Sequence, residues 1–147
     1  MSTYGNDPSE DERPDPYEIV ERYWPYDGPY SDERTNAAAL MIGRLGRYLN
    51  NATQKRDGLP YAAVVGRVLT DLAGVVIGYE QLLDQLAWFL EREAEGNPLL
   101  YDDRRDRPGA QTARETAVAL DDARGAVRAL YVALSEPAQL AYHLGSD

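Results

Sequence analysis

The chain has 147 residues, a formal net charge of −10 at pH 7 and no cysteine. A domain of this length can bury a core without disulfides, and the lack of thiols excludes disulfide, thiolate-metal and cysteine redox chemistry. No apolar segment follows Met1, so we expect a cytoplasmic protein rather than a secreted one. The basic residues include a single lysine and many arginines, which together with the many alanines indicates a GC-rich, bacterial gene.

Residues 1–30 form an acidic N-terminal arm that is rich in tyrosine and proline. The first 34 residues carry ten acidic and three basic side chains, so −7 of the net charge of −10 lies in this stretch. Residues 1–13 have too little apolar surface to offset the entropy of ordering, and we expect them to be disordered. Residues 31–147 are predicted to form a separate helical bundle domain.

A short helix is predicted near residues 16–24 of the arm. Asp15, Pro16 and Glu18 supply an N-cap, a proline at the first helical position and an acid at the third, and Pro25 ends the helix. A helix this short is not stable alone in water, so its apolar side chains must dock on something. These candidate contact residues are Tyr17, Ile19, Val20, Tyr23 and Trp24. They either pack on the protein's own bundle, which we favour, or bind a foreign protein as a helix in a groove.

A second helix is predicted to begin at Ser31 and to end near Asp57. Residues 35–56 contain no acid and four basic side chains. Three of them, Arg44, Arg47 and Lys55, lie near one face. Four charges neutralise few phosphates, so we expect a solvated face rather than nucleic-acid binding. One hypothesis is that the acidic arm lies against this basic face and screens it.

The central element is a predicted helix of about 35 residues that ends at Gly96-Asn97-Pro98. Its apolar residues recur at alternating steps of four and three, the spacing of a helix seam. The row consists of Tyr61, Val65, Val68, Leu72, Val75, Tyr79, Leu82, Leu86 and Phe89. A second row widens the seam and consists of Leu69, Val76, Leu83 and Leu90. The pattern is typical of a helix in an antiparallel bundle.

The back of this helix has no charge between residues 72 and 79, so another surface must cover it. The back-facing positions, which we assign to self-association, are Ala73, Gly74, Ile77 and Gly78. Each glycine costs up to ~1 kcal/mol relative to alanine, which is tolerated where a second backbone comes close. Either another helix of the chain or a second copy could supply that backbone. Charged residues bracket the run, so we do not expect a membrane span.

A third long helix is predicted over residues 110–134. Ser135-Glu136-Pro137 is predicted to break it, and a last short helix follows over residues 138–144. The fold class is therefore all-α: an antiparallel bundle of three main helices with short flanking N- and C-terminal helices.

The residues that enzymes use are absent in the required combinations. His143 is the sole histidine, and the serines lie in the termini or at helix caps. The sequence has no zinc or di-iron helix motif, no nucleophile elbow and no phosphate-binding glycine loop. We therefore expect no catalysis, no metal and no cofactor.

The remaining hypothesis is a non-catalytic protein-protein interaction or regulatory accessory protein. It would form a homodimer through the long helix and contact a protein partner through aromatic residues, with Trp88 as a further candidate. The alternative is an acidic inhibitor, or DNA mimic, that binds a basic protein surface. The net charge supports this alternative, but most of the excess charge lies in the proline-rich arm.

Overall fold

The computed structural model describes residues 15–104 and 106–145. This part of the chain contains four helices and no strand. They are α1 (Pro16–Tyr23), α2 (Asp32–Ala52), α3 (Ala62–Gly96) and α4 (Gly109–Tyr142). The predicted all-α helical bundle is confirmed. The disorder predicted for residues 1–13 lies outside the described residues.

The chain divides into two compact units, of which the first ends at Lys55 and the second begins at Arg56. The predicted boundary at residue 30 lies within the first unit. The first unit contains α1 and α2, and the second contains α3 and α4.

Both helices of the first unit begin at the predicted caps. The Asp15 carboxylate accepts a hydrogen bond from the backbone N–H of Tyr17 at 2.9 Å, and the Ser31 hydroxyl accepts one from that of Arg34 at 3.2 Å. These side chains satisfy amide groups that a helix start leaves without partners. Between the helices, Gly28 has a φ of 84°, a left-handed conformation that glycine adopts at little cost. α2 ends at Ala52, five residues before the predicted end.

α3 is the predicted long helix. It has 35 residues and ends at Gly96, as expected. Asn97 follows as the C-cap residue and its side-chain amide donates to a carboxylate oxygen of Glu93 at 2.7 Å. Pro60 lies two residues before the helix.

α3 and α4 pack against each other in antiparallel orientation. The start of α3 meets the end of α4 where Gly66 lies against the backbone of Ala141. The opposite ends meet where the Arg114 guanidinium donates to the carbonyl oxygen of Ala94 at 3.4 Å. The two helices thus form a hairpin about 50 Å long, at 1.5 Å per residue.

The interface between α3 and α4, called the small-residue seam below, is built from alanine and glycine. Its buried α3 residues are Gly66, Ala73, Ala87 and Ala94, and its buried α4 residues are Gly109, Ala113, Ala117, Ala138 and Ala141. The α3 residues follow a seven-residue repeat, with Glu80 at the one missing step. Small side chains let the two backbones approach closely, so the helices contact each other without a large buried side chain.

Two ion-pair groups stand at the middle of the hairpin and match its register. Glu80 pairs with Arg128, and Arg124 contacts Asp84 at 2.9 Å and Asp121 at 2.8 Å. Opposing positions of two antiparallel helices have a constant sum of residue numbers. The sum is 208 for the pair of Glu80 and Arg128 and for the pair of Asp84 and Arg124. The contact between Ala94 and Arg114 gives the same sum. The cross-helix ion pairs therefore follow the same register as the contact at the Arg114 end of the hairpin.

The predicted break in the third long helix is wrong. α4 continues through Pro137 to Tyr142, so the short C-terminal helix is the last part of α4. An interior proline costs about 3 kcal/mol because it removes a backbone hydrogen bond and crowds the preceding turn. Ala138 and Ala141 are buried in the small-residue seam just after the proline, and this packing offsets the cost.

The loop between α3 and α4 is held by Asp102. Its carboxylate accepts a hydrogen bond from the Thr112 hydroxyl at 2.5 Å and one from the backbone N–H of Arg104 at 3.0 Å. The Thr112 hydrogen bond, followed by the backbone one, holds the pKa of Asp102 below its usual range.

Thr112→Val should raise the pKa of Asp102 toward its ordinary value, because the largest contribution to its lowering is lost. A carboxylate with a lowered pKa in the folded state stabilises the fold above its unfolded pKa, and this contribution is lost as pH falls through the folded pKa. Acid unfolding of the variant should therefore begin at a higher pH. The measurement is an NMR titration of the Asp102 carboxyl below about pH 5. An unchanged pKa would contradict the assigned hydrogen bond.

Candidate functional site

One row of large apolar side chains of α3 points away from α4. They form what we call the outer α3 stripe, which consists of Leu72, Val75, Tyr79, Leu82, Leu86 and Phe89. At 100° per residue, Leu72 and Val75 lie about 100° and 160° around the helix from Ala73, which faces α4. The stripe is therefore directed away from the seam within its own unit.

The outer α3 stripe is solvent-exposed. The exposed fractions of Leu82, Leu86 and Phe89 are 44%, 46% and 55%, and Tyr79 alone among the six is half-buried. Buried apolar residues in the described part of the chain are all alanines. A contiguous row of large exposed apolar residues marks an interaction site more often than a simple surface. The stripe is thus the main candidate site.

Two opposite charges lie at the two ends of the outer α3 stripe. Asp71 precedes its first residue and Arg92 follows its last by one turn. They are 21 residues apart, which puts them on one side of the helix after three seven-residue repeats. Among the described residues Asp71 forms no ion pair, while the Arg92 guanidinium lies over the Trp88 ring at 4.7 Å.

The residues assigned to self-association from the sequence do not share one environment. Ala73 is covered by α4 of the same chain. Gly74, Ile77 and Gly78 are exposed, and a Cβ atom added at either glycine would meet nothing within 4 Å. Gly74 and Ile77 line an open groove of about 430 Å³ beside α4. The close backbone approach is made at Gly66 instead.

The candidate contact residues of α1 divide into two groups. Ile19 and Trp24 are half-buried, and the Trp24 indole N–H donates to the carbonyl oxygen of Arg34 at 3.1 Å. Tyr17, Val20 and Tyr23 are exposed. Trp24 therefore links the end of α1 to the start of α2, and Tyr17, Val20 and Tyr23 form an exposed apolar surface.

The basic-face residues Arg44, Arg47 and Lys55 are exposed, and Lys55 lies beyond the end of α2. No ion pair joins them to an acid among residues 15–104 and 106–145. The screening of this face by the arm stays a prediction. Trp88, the remaining candidate for partner contact, is exposed, and one face of its ring contacts the Arg92 guanidinium.

The described residues contain no group of three acidic or histidine side chains that could hold a metal ion. His143 is exposed at the end of α4, stacked edge-on against Tyr142, with ring centroids 5.7 Å apart. An open groove of about 620 Å³ lies along α1 and is lined by Pro16, Tyr17 and Val20 among others. Its lining combines aromatic and apolar side chains with charged ones of both signs, Glu18, Glu21 and Arg22.

By length and composition, α3 is the one helix of the described chain that could cross a membrane. Buried residues make up 11% of its most apolar 18-residue window.

The apolar spacing in the sequence identifies the residues of the outer α3 stripe, but we expected them to form the seam of the bundle, and α4 lies on another face. Both rows have helical spacing, and periodicity alone does not show which row faces which neighbour. The signal for the true seam is present in the sequence as Gly66, Ala73, Ala87 and Ala94, small residues at multiples of seven.

Comparison with known proteins gives no relative: no family model, curated protein or solved structure matches this chain.

Proposed function

We propose that the protein is a non-catalytic interaction protein that assembles with a second copy of itself through the outer α3 stripe. The observation that supports this proposal is the exposure of large apolar side chains along α3 while only alanine and glycine are buried. A hairpin with so small a core gains little from hydrophobic burial, so covering the stripe supplies the missing stabilisation.

A membrane is a poorer cover for α3 than a second copy. α4 lies along the whole length of α3 and carries Asp121, Arg124 and Arg128 at mid-length. Insertion of the hairpin would bring these charges, with Glu80 and Asp84, into the hydrocarbon at high cost. A second hairpin covers the stripe while leaving the charged flank of α4 in water.

The exposed surface of α1 formed by Tyr17, Val20 and Tyr23 is the contact that we assign to a protein partner. Acidic side chains at Glu18 and Glu21 stand on the same short helix. A partner with a groove that is apolar at its floor and basic at its rim would match both features. Assembly through α3 would then present two such surfaces.

Leu82→Gln should weaken the assembly. Burial of the exposed part of one leucine is worth roughly 1 kcal/mol, and a two-fold assembly contains the change twice. The dissociation constant should therefore rise about 30-fold, which corresponds to roughly 2 kcal/mol. The measurement is the solution mass of the full chain by light scattering over a concentration series, with circular dichroism to check helicity.

Val118→Gln is the matched control. Val118 is exposed on α4, away from the outer α3 stripe, so the same polar replacement should leave the mass unchanged. An unaltered dimer in the Leu82 variant, or a monomer of the unmodified chain at every concentration, would refute assembly through the stripe.

A further inference from the structure

We infer that the two copies pack α3 against α3 in antiparallel orientation, with Asp71 of each copy facing Arg92 of the other. This inference rests on the proposed function, since it names the geometry of the same surface. The two-fold axis would pass close to the middle of the outer α3 stripe, between Tyr79 and Leu82.

The spacing of the stripe is the same in both directions. From Leu72 to Phe89 the steps are three, four, three, four and three residues, and the order is unchanged when the row is read backwards. An antiparallel copy therefore places Leu72 opposite Phe89, and Val75 opposite Leu86. A two-fold interface requires this kind of self-complementary surface.

The charges at the ends of the stripe distinguish the two possible orientations. In the antiparallel arrangement Asp71 at one end meets Arg92 at the same end, and the symmetry repeats the pair at the other end. A parallel arrangement would gather both Asp71 residues at one end and both Arg92 residues at the other, so no opposite pair could form. Like charges gathered in this way oppose association.

The rest of the hairpin leaves room for this packing. α4 contacts α3 through the small-residue seam, about 100–160° around the helix from the stripe. Glu80 is held in its pair with Arg128 on the α4 side. The two faces of α3 thus serve two contacts without sharing a residue.

Cysteine cross-linking tests the orientation directly, because the natural chain has no cysteine. Leu72→Cys and Phe89→Cys variants of the full chain are prepared separately and as an equal mixture that is unfolded and refolded together. A short thiol-reactive cross-linker is then applied and the products are separated under denaturing conditions. Cα atoms 17 residues apart on one helix are about 25 Å apart, so the cross-linker cannot reach from a position to its symmetry mate.

Antiparallel packing predicts cross-linked dimer in the mixture and at least tenfold less in either variant alone. Cross-linking of each variant with itself would overturn the orientation in favour of parallel packing. If the chain has the mass of a dimer but no sample is cross-linked, the contact lies on another surface. This result would also overturn the inferred orientation. A monomeric mass of the unmodified chain would instead refute the proposed function.

Charge exchange gives an independent readout that does not alter the apolar stripe. Asp71→Arg alone and Arg92→Asp alone should each weaken the dimer up to about tenfold at low salt, because each creates two like-charge contacts. The double variant restores both pairs with reversed polarity and should recover the original affinity. Failure of the double variant to recover would overturn the assigned pairing.

Discussion

Gly66→Ala should lower the free energy of unfolding by about 3 kcal/mol. A Cβ atom at this position would lie 2.7 Å from the carbonyl carbon and oxygen of Ala141 and from the backbone nitrogen of Tyr142. Backbone atoms cannot turn aside as the end of a side chain can, so the helices must separate locally. That separation would loosen the neighbouring contacts of Ala73 and Ala138 and exceed the gain in helix propensity.

Gly74→Ala is the control for this prediction. It makes the same change in the same helix, but the new Cβ would meet nothing within 4 Å, so alanine should stabilise α3 by up to about 1 kcal/mol. Chemical unfolding followed by circular dichroism measures both variants. Equal effects of the two substitutions would mean that α3 and α4 do not approach closely at Gly66.

Pro137→Ala should stabilise the protein by about 2 kcal/mol, most of the cost of a proline inside a helix. Alanine restores the amide that can donate to the carbonyl of Ala133, and Pro137 is exposed, so little packing is lost. For a chain of this size the midpoint of thermal unfolding should rise by roughly 5 °C.

Pro60→Ala serves as the comparison, because Pro60 is also exposed but lies outside any helix. It should leave the midpoint unchanged or lower it slightly by freeing the unfolded chain. A fall in the midpoint of the Pro137 variant would contradict the cost assigned to a proline inside α4.

Local signals in the sequence predicted where most helices start and stop. Asp15 and Ser31 cap α1 and α2 as expected, and Gly96 ends α3. These signals act within a few residues, so their physics is contained in the sequence itself. The end of α4 depends instead on burial of Ala138 and Ala141 against another helix, and a local rule about Pro137 could not include that contribution.

Which face of α3 meets α4 could not be obtained from apolar periodicity. Large residues were expected in the seam because burying a leucine is worth more than burying an alanine. The chain instead brings Gly66 and Ala87 to α4 and leaves Leu86 exposed. Close backbone contact between two helices and burial of large side chains are separate ways to use a helix face, and α3 uses the first of them toward α4.

The small-residue seam restricts how the length of this protein can change during evolution. One residue inserted between Ala73 and Ala87 would turn the rest of the α3 row by about 100° and replace the small residues facing α4 with larger ones. An insertion of seven residues in α3 would keep the small residues facing α4. It would keep Glu80 opposite Arg128 only if α4 gained seven residues at the same level of the hairpin. Within the seam the two helices can therefore lengthen only together and in whole repeats, whereas the loop between them is free of this restriction.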